Sequence, residues 1–408
     1  MKYGCIGEHL KHSFSKEIHG ALTDYEYEIC EIPKSEIDAF MKRADFKAIN
    51  VTIPYKETVI PYLDYIDEFA RAIGAVNTIV KRDGKLYGYN TDFFGMSALI
   101  KHFGIEIVGK KVAILGSGGT AKTAFAVSES LGAKEIIKVS RTPSDNAVSY
   151  EELYEKHSDT EVIINTTPVG MYPNVYNSPI DIAKFANLCG VVDAIYNPLR
   201  TVLVSDAIRR GIHAAGGLYM LVAQAVRASE IFIDTTYPEG ELERVYNASV
   251  RDKENIVLIG MPGSGKSTVG KILADRLDRE FIDTDDIIIK KAGMSIPEIF
   301  KKYGEPYFRE LECEAVKEAS AITAAVIATG GGAPMREENV RALKQNGRIY
   351  FLDRPVEALI PTDDRPLATT VEDLKRRYEE RYGIYCATSD FTIKVNDGAQ
   401  AVAEEILK

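Results

Sequence analysis

The sequence has no paired cysteine motif, no excess of positive charge and no long apolar run. Its five cysteines are scattered and form no C-x-x-C pair, so we expect neither a zinc site nor a disulfide framework. The charge balance of 50 basic and 60 acidic residues, 50 − 60 = −10, argues against a surface for nucleic acid or for an anionic membrane. We therefore expect small soluble molecules as binding partners.

An N-terminal basic and then apolar signal segment is absent, and no apolar stretch approaches about 20 residues. We expect a cytoplasmic protein on this ground. A chain of 408 residues is long enough for two or three domains, each with a hydrophobic core of its own. No oligomeric state is predicted.

A glycine-rich stretch past the middle of the chain carries the most specific motif. It reads GMPGSGKST over 260–268 and fits the phosphate-loop pattern G-x-x-x-x-G-K-[ST]. The apolar run 256–259 predicts a strand before it, so the loop amides would face a polyphosphate at the start of the next helix. Lys266 would neutralise the β and γ phosphates, and the Ser267 hydroxyl would bind magnesium. The alternative is an ordinary glycine and serine loop. The residues predicted to bind ATP are Gly263, Ser264, Gly265, Lys266, Ser267 and Thr268.

Four short stretches in the first 94 residues place polar side chains near the ends of predicted strands. They are S-x-S with Ser13 and Ser15, N-V-T-x-P-x-K ending at Lys56, G-A-V-N-T with Asn77, and N-T-D ending at Asp92. The last two stretches are separated by a hairpin that an Asp-Gly pair is expected to turn. Taken singly, the serines could cap a helix, the lysine could be a solvated charge, and the aspartate could be a helix N-cap.

Together the four stretches resemble, in order and spacing, the substrate lobe of the shikimate dehydrogenase family. The resemblance implies that Ser13 and Ser15 hold the substrate carboxylate and that Lys56 and Asp92 form the catalytic pair. An ammonium group can stabilise and protonate the oxygen of a ketone as it is reduced. Lys16 departs from the family, which usually has proline there. The other implied substrate contacts are Thr52, Asn77, Tyr196 and Gln224.

A second glycine-rich stretch follows the predicted strand 111–115 and begins a predicted helix. It fits the G-x-G-x-x-A fingerprint of a dinucleotide-binding βαβ unit, in which glycines let the backbone approach a pyrophosphate. The next predicted strand, 135–139, is followed by an arginine where an NAD enzyme would have an acidic residue, and an arginine suits the 2′-phosphate of NADP. Asp145 stands near a position where the family has a second basic residue, so we expect NADP(H) with reduced discrimination. The predicted contacts are Gly116, Ser117, Gly118, Gly119, Thr120, Ala121, Ser140, Arg141 and Thr142.

Later stretches extend this resemblance to about residue 237. The segments 166–171 and 191–198 resemble the family's loops on the nucleotide side, and 216–225 resembles the segment that returns to the substrate lobe. The segment 238–253 is charged and has little apolar periodicity. It is predicted to be a linker that can include a short helix.

The stretches after the phosphate loop resemble the shikimate kinase family over 255–408. They are an Asp-x-Asp pair at 283–285, F-R-x-x-E at 308–312, the glycine triplet 330–332, R-P-L at 365–367 and a late arginine. The resemblance implies that Asp285 binds and aligns the reacting hydroxyl and that Asp283 supports magnesium. Taken singly, each arginine could be a surface cation and the acidic pair a helix N-terminal charge. The other implied roles are carboxylate clamps at Arg309 and Arg381, pocket amides at Gly331 and Gly332, and neutralisation of the transferring phosphoryl group by Arg365.

The lid before Arg365 departs from the kinase family. Residues 356–364 include three acidic side chains but no lysine or arginine, and the segment is shorter than the usual lid. Because cations of a lid neutralise phosphate charge, we expect a low affinity for ATP. An ordinary ATP saturation constant would contradict this expectation.

The sequence thus predicts an α/β protein with a two-lobe dehydrogenase followed by a P-loop kinase domain with a parallel sheet. The substrate lobe is predicted over about 1–94 and 216–237, the Rossmann lobe over about 95–215, and the kinase domain over 254–408. The two resemblances imply consecutive reactions, the reduction of 3-dehydroshikimate with NADPH and the phosphorylation of shikimate with MgATP. Two alternatives remain at this point: the first half reduces quinate or a relative, or the second half is a non-catalytic nucleotide-binding module.

Overall fold

The computed structural model describes residues 1–8, 10, 14–142, 146–359, 371–396 and 398–408. Backbone contacts divide the chain into two compact units, Met1–Val250 and Arg251–Lys408. Three sheets are present in the described residues, two in the first unit and one in the second. None of the helices described is both long and apolar enough to cross a membrane.

The first lobe of the N-terminal unit is built on a mixed six-stranded sheet. Its order is β2-β1-β3-β5-β6-β4, and the pairs β3 with β5 and β5 with β6 are antiparallel. A short 3₁₀ helix spans Ile60–Tyr62. The elements are β1 (Tyr3–Gly7), α1 (Ser15–Leu22), β2 (Tyr27–Glu31), α2 (Ile37–Arg43), β3 (Ala48–Val51), β4 (Tyr65–Ile66), α3 (Glu68–Ile73), β5 (Thr78–Arg82), β6 (Lys85–Tyr89) and α4 (Thr91–His102).

Local sequence signals set the turn between β5 and β6 and the start of α4. Asp83 and Gly84 have φ angles of 51° and 78°, as a two-residue hairpin turn requires. The α4 N-cap is Asn90, whose side-chain oxygen accepts the backbone N–H groups of Asp92 at 3.0 Å and Phe93 at 3.3 Å. The sequence had left Asp92 open as the N-cap. Asn90 takes that role, because its amide reaches both orphan donors, and the carboxylate of Asp92 in the first turn makes other contacts.

The second lobe is a parallel five-stranded sheet with helices around it, in the order β11-β10-β9-β7-β8. Its strands are almost continuously apolar, as expected for a sheet covered on both faces. A 3₁₀ helix spans Ile182–Lys184. The elements are β7 (Lys111–Leu115), α5 (Gly119–Ser130), β8 (Glu135–Val139), α6 (Tyr150–Lys156), β9 (Val162–Asn165), β10 (Gly190–Asp193), α7 (Val202–Arg209) and β11 (His213–Ala215).

Two further helices follow, α8 (Leu218–Ile233) and α9 (Glu241–Lys253), and the N-terminal unit ends within α9 at Val250. Helix α8 lies against α4 at close range, because a Cβ at Gly95 would stand 2.6 Å from the carbonyl oxygen of Met220. Helix α9 occupies most of the segment predicted as a linker, and Val245 on it is fully buried in a cluster with residues of α8. Helix α9 is therefore mostly charged but packs against α8 through a narrow apolar stripe.

The C-terminal unit has a parallel five-stranded sheet in the order β13-β14-β12-β15-β16. Helix α12 is interrupted at Gly304, whose φ and ψ of 79° and 175° are not helical. Short 3₁₀ helices span Ala333–Met335 and Val356–Ala358. The elements are β12 (Asn255–Ile259), α10 (Lys266–Leu277), β13 (Phe281–Asp283), α11 (Thr284–Ala292), α12 (Ile296–Ser320), β14 (Val326–Ala328), α13 (Glu337–Asn346), β15 (Gly347–Asp353), α14 (Val371–Thr388), β16 (Phe391–Lys394) and α15 (Ala399–Ile406). The predicted fold class, α/β with Rossmann and P-loop sheets, is confirmed.

Candidate active sites

A lysine and an aspartate from different elements of the first lobe form a close ion pair. Lys56 Nζ donates to Asp92 Oδ2 at 2.5 Å, and the exposed fractions of the two side chains are 18% and 6%. Lys56 follows β3 in the turn whose backbone is held by a hydrogen bond from Val76 N to Lys56 O. Burial excludes water from the carboxylate while one side of the ammonium stays accessible. The pair can therefore deliver a proton to a ligand and recover its charge balance.

Two amide side chains converge on the same carboxylate. Asn77 Nδ2 donates to Asp92 Oδ1 at 2.9 Å and lies 3.5 Å from Gln224 Oε1. Asn77 is contributed by the segment before β5, and Gln224 by α8, which the close contact at Gly95 brings against α4. Four predicted site residues that are up to 168 positions apart in the chain (224 − 56 = 168) thus meet in one place.

The remaining residues predicted around the substrate lie on the nearby loops. Thr52 is half-buried, and its N–H donates to Ile6 O at 2.9 Å. Ser15 is the first residue of α1, and the N-cap residue of that helix, Phe14, makes no side-chain capping bond. The Tyr196 ring packs against Phe14, with 5.2 Å between ring centroids. Ser13 lies outside the described residues.

The nucleotide side of this unit begins at the end of β7. Gly116 has a φ of 115°, and a Cβ there would stand 2.6 Å from Thr166 Oγ1. A Cβ at Gly118 or Gly119 would meet no neighbour within 4 Å, so the N-terminus of α5 opens to space beside the loop. This geometry fits the diphosphate of a dinucleotide, which would accept hydrogen bonds from the amides at the start of α5.

The three residues after β8 lie where the adenosine ribose of such a dinucleotide would bind. Ser140 N donates to Val148 O at 3.0 Å, and Thr142 N donates to Ser140 Oγ at 3.2 Å, so the turn is held by its own bonds. Arg141 is exposed in this turn. Asp145, the acidic departure from the family, lies outside the described residues.

The phosphate loop of the second unit has its lysine folded back over the loop. Lys266 Nζ donates to the carbonyl oxygens of Gly260 and Met261, each at 3.0 Å. The left-handed conformation of Gly265, with φ of 98°, turns the chain into α10 at this point. Ser264 Oγ is buried without a hydrogen-bond partner among the described residues. An ammonium, loop amides and an unsatisfied hydroxyl fit a polyphosphate.

A hydroxyl and a carboxylate that suit magnesium lie side by side at the same loop. Ser267 Oγ donates to Asp283 Oδ2 at 2.8 Å, while Asp283 Oδ1 accepts the backbone N–H of Asp285 and caps α11. Magnesium prefers hard oxygen ligands and commonly takes one or two from protein and the rest from phosphate and water. The described residues form no cluster of three or more His, Cys, Asp or Glu side chains that could hold a metal ion.

Asp285 stands next to this pair in a strongly acidic setting. The residue is half-buried, but its Oδ1 is fully buried and has no hydrogen-bond partner in the described part of the chain. Burial is the main cause that raises the pKa of Asp285 to about 6. The charges of Asp283 and Glu312 also raise this pKa, and Lys266 opposes the shift. An unsatisfied carboxylate with a raised pKa is suited to accept a hydrogen bond from a substrate hydroxyl.

The two predicted carboxylate clamps lie against the glycine triplet. A Cβ at Gly332 would stand 2.1 Å from Arg309 Nη1, and a Cβ at Gly331 would stand 3.4 Å from Arg381 Nη1. Only glycine allows the first contact. Arg309 also pairs with Glu312 and Glu305, each at 2.8 Å, and Arg381 is 6% exposed. The structure thus gathers these predicted residues into one pocket, whereas Arg365 and the lid residues 360–364 lie outside the described residues.

Three residues received no individual role from the sequence, although Glu312 is the last residue of the F-R-x-x-E stretch. Glu312 is 1% exposed and holds Arg309, and burial raises its pKa while Arg309 opposes the rise. Lys122 Nζ forms an ion pair with Glu57 at 2.6 Å, joining the start of α5 to the turn that carries Lys56. Arg354 Nη1 donates to Gly263 O in the phosphate loop at 3.4 Å. Lys122 follows the glycine fingerprint directly, and that position was the available signal.

Comparison with known proteins assigns both units. The family model for the substrate-binding domain of shikimate dehydrogenase matches residues 5–79, and the shikimate kinase model matches residues 262–408. The shikimate dehydrogenase (NADP(+)) of Clostridium beijerinckii is 38% identical over 247 residues, which are 56% of this chain and 91% of that protein. These matches do not favour the alternatives of a quinate enzyme or a non-catalytic second half.

Solved structures agree with this assignment for the first unit. Shikimate dehydrogenase 1 from Peptoclostridium difficile superposes with a TM-score of 0.57 at 38% identity, covering 61% of this chain and 98% of that one. The enzyme from Thermus thermophilus in complex with NADP(H) and shikimate gives 0.55 at 26% identity, covering 61% and 99%. The chain therefore belongs to the shikimate dehydrogenase family and carries a shikimate kinase domain in its C-terminal unit.

Proposed function

We propose that this protein catalyses two consecutive steps of the shikimate pathway. Its first unit reduces 3-dehydroshikimate to shikimate with NADPH, and its second unit phosphorylates the 3-hydroxyl of shikimate with MgATP. The observation that carries the proposal is that each unit brings groups suited to its reaction close together. The first set is the Lys56 and Asp92 pair, and the second joins Lys266, Ser267 and Asp285 around the phosphate loop.

In the reduction, Lys56 stabilises and protonates the developing alkoxide. NADPH, when bound, supplies a hydride to the ketone carbon. The ammonium proton of Lys56 Nζ moves to the substrate oxygen, so the product is an alcohol and the lysine is left neutral. Asp92 keeps the ammonium in line through its 2.5 Å contact with Lys56 Nζ. Asn77 holds the other carboxylate oxygen and so fixes the direction of the pair.

In the phosphorylation, Asp285 aligns the substrate hydroxyl for in-line attack and accepts its proton. The buried, unpartnered Oδ1 is the acceptor in this proposal, and its raised pKa makes it a stronger base than an exposed carboxylate. Magnesium, when bound, supplies positive charge to the phosphate oxygens, with Ser267 and Asp283 as its protein ligands. Lys266 and Arg365 neutralise the charge that develops on the transferring group.

The carboxylate of the common ligand is recognised differently by the two units. We propose hydroxyl donors at Ser13 and Ser15 in the first, with Thr52, Tyr196 and Gln224 completing the pocket. In the second, Arg309 and Arg381 would bind the carboxylate, and the amides of Gly331 and Gly332 would line the pocket. The support is that the guanidinium groups and the glycine backbone are already in contact. Guanidinium groups bind carboxylates in bidentate fashion, whereas hydroxyls provide single bonds.

The cofactor of the first unit is NADP(H), with Arg141 as the residue that reads the 2′-phosphate. Replacing Arg141 with alanine is expected to lower kcat/KM for NADPH by roughly 10-fold or more and to leave that for NADH nearly unchanged, because one charge-assisted contact is lost. Steady-state rates with both cofactors measure the effect. A higher kcat/KM with NADH in the unmodified protein would contradict the preference for NADP. We place these reactions in the cytoplasm, where this chemistry finds its small-molecule substrates.

The deciding experiment is mass spectrometry of the products that the purified chain forms from 3-dehydroshikimate, NADPH and MgATP. Shikimate 3-phosphate is the expected product. The control without ATP, and the Lys266→Ala variant with ATP, should both stop at shikimate. Shikimate alone from the complete mixture would overturn the kinase assignment, and unreacted 3-dehydroshikimate would overturn the reductase assignment.

A further inference from the structure

A chain of side-chain hydrogen bonds runs from the catalytic carboxylate into the core of the first lobe. Asn77 Nδ2 donates to Asp92 Oδ1 at 2.9 Å, and Thr78 Oγ1 donates to Asn77 Oδ1 at 3.0 Å. Asn50 Nδ2 donates to Thr78 Oγ1 at 3.1 Å, and the Tyr27 hydroxyl donates to Asn50 Oδ1 at 2.7 Å. Four links therefore connect the phenol of Tyr27 to the carboxylate that holds the catalytic lysine.

Each link in this chain determines the direction of the next. A carboxamide has its acceptor and its donors on opposite ends of one planar group. When Tyr27 donates to the oxygen of Asn50, the NH₂ group of Asn50 must face Thr78. The Thr78 hydroxyl accepts from it and donates its own proton to the oxygen of Asn77 at 3.0 Å, which is nearer than the other available acceptor, Thr91 Oγ1 at 3.3 Å. Asn77 then presents its NH₂ group, and not its oxygen, to Asp92.

The inner end of the chain is rigid and keeps its proton. Tyr27 is 3% exposed, and its ring stacks on that of His19 with 4.0 Å between centroids and 10° between planes. Burial raises the pKa of Tyr27 well above its ordinary value, so the hydroxyl remains a donor. Burial also lowers the pKa of His19 to about 3, so the stacked ring is neutral. The strands contribute further order, since Asn50 and Thr78 are direct partners in the β3 and β5 pair.

We infer that Tyr27 is a positioning residue of the dehydrogenase, which acts through Asn50, Thr78 and Asn77 to hold Asp92 and Lys56 in their reactive orientation. The inference rests on the proposed ketone reduction. Tyr27 does not touch the reacting atoms, and its effect is on the geometry of the acid pair. The Asn77 oxygen also accepts the backbone N–H of Thr91 at 2.8 Å. Loss of the Tyr27 hydroxyl should therefore loosen the pair without dismantling it.

The test compares Tyr27→Phe with Thr78→Val in the full chain, since both remove one hydroxyl from the same series of bonds. For each variant we expect kcat for reduction to fall roughly 10-fold, KM for 3-dehydroshikimate to change less than about 2-fold, and the primary isotope effect with 4-deuterated NADPH to increase. The isotope effect rises because the chemical step becomes slower, which a smaller folded fraction would not produce. Phosphorylation by the same preparation gives the concentration of intact chain.

The double variant and a matched control make the test specific. Because both substitutions break one chain, the double variant should be no slower than either single variant. Tyr25→Phe removes a partly buried hydroxyl, one that bonds to His19 Nδ1 at 2.6 Å and Ser229 Oγ at 3.0 Å but not to Asn50, and it should leave kcat unchanged.

Several results would overturn the inference. They are an unchanged kcat in Tyr27→Phe, an equal loss in Tyr25→Phe, and multiplied losses in the double variant. If Tyr27→Phe does not fold, Thr78→Val alone decides by the same kcat and isotope-effect criteria. Failure of the unmodified chain to reduce 3-dehydroshikimate would instead reject the proposed function, so the two failures are distinguishable.

Discussion

The two carboxylates that are proposed to react, Asp92 and Asp285, lie in opposite electrostatic surroundings. Asp92 receives the Lys56 ammonium at 2.5 Å and the Asn77 amide at 2.9 Å, so both of its oxygens are satisfied. Asp285 has a buried oxygen without a partner in the described residues, and its acidic neighbours help to raise its pKa to about 6. Before any ligand binds, the charge of the first carboxylate is balanced, and that of the second is not.

This difference follows from the chemistry that each unit performs. Reduction of a ketone needs a proton donor that the protein itself can supply, so the acid pair can be assembled within the fold. Phosphoryl transfer brings a cation and a hydroxyl with its substrates, and these complement negative charge that the free protein leaves in place. The negative charge in the kinase pocket is therefore unfavourable until ligands neutralise it. The charge of the dehydrogenase carboxylate is neutralised by the protein's own residues.

The largest effect expected is a selective loss of one activity. Lys56→Ala should lower the reduction rate by roughly 10³-fold while phosphorylation stays unchanged, because the donor to the developing oxyanion is lost. Lys266→Ala should do the reverse, since it removes the cation at the phosphates. Both rates are measured on one preparation, so each unit is the control for the other. Parallel loss of the two activities in either variant would contradict the independence of the sites.

Neutralising the two aspartates should shift stability in opposite directions. Asp92→Asn is expected to destabilise the first unit by about 2–3 kcal/mol, because Lys56, which is only 18% exposed, loses its counterion. Asp285→Asn is expected to stabilise the second unit by about 1 kcal/mol, because a poorly compensated charge is removed at the expense of activity. Both variants are expected to be inactive, so thermal inactivation cannot measure their stability. Urea unfolding monitored by circular dichroism, together with differential scanning calorimetry, measures the free energy of unfolding instead.

A destabilised Asp285→Asn protein would show that the kinase carboxylate is not under strain. As a matched control, Asp373→Asn changes an exposed ion pair with Arg376 at 2.7 Å. Such pairs contribute only about 0–1 kcal/mol, so the control should change stability little.

The buried aspartate Asp193 shows the effect of neutral hydrogen-bond donors without a cation. It accepts bonds from Thr201 Oγ1 at 2.7 Å, Asn165 Nδ2 at 3.0 Å and Ile195 N at 3.1 Å, yet burial raises its pKa to about 7. The pKa of Asp193 is higher in the folded protein than in the unfolded chain. Its contribution to the free energy of unfolding is therefore fully present below the pKa of the unfolded chain and is lost as pH rises through the folded pKa of about 7.

We therefore expect the first unit to lose roughly 1 kcal/mol of stability from Asp193 between about pH 6 and pH 8. Thermal inactivation of the dehydrogenase across this range measures the loss. Asp193→Asn, which cannot ionise, should remove this component of the pH dependence. If the stability of Asp193→Asn depended on pH as that of the unmodified protein does, three neutral hydrogen-bond donors would stabilise the Asp193 carboxylate as well as a cation does.

The smallest effect expected is in the salt dependence of substrate binding. The kinase is proposed to hold the shikimate carboxylate with two arginines and the dehydrogenase with two serines, and salt screens charges more than it weakens neutral hydrogen bonds. Raising potassium chloride from about 0.05 to 0.5 M should increase the kinase KM for shikimate a few-fold and the dehydrogenase KM less. Equal changes in the two constants would contradict the proposed difference in recognition.

Local patterns in the sequence were sufficient for most of the framework. Strands β7 and β8 have the bounds that the apolar runs predict, and the Asp83 and Gly84 turn was expected from that pair alone. The phosphate loop and the dinucleotide fingerprint were recognisable because each requires particular residues at fixed spacing between a strand and a helix. These features depend on neighbours in the chain, and for that reason they can be read without a structure.

The tertiary structure decided which of the polar residues act together. The sequence offered Asp92 as a possible cap of α4, whereas the structure gives that role to Asn90. The sequence predicted a linker with at most a short helix for the segment of α9, because Val245 is the only buried residue of that helix. It did not connect Tyr27 with Asn50, because that bond crosses the intervening strand β1. Residue types and spacing determined the chemistry available to this chain. The pairing of distant side chains, and with it the charge state of each site, depends on sheet register and helix packing, which no local pattern specifies.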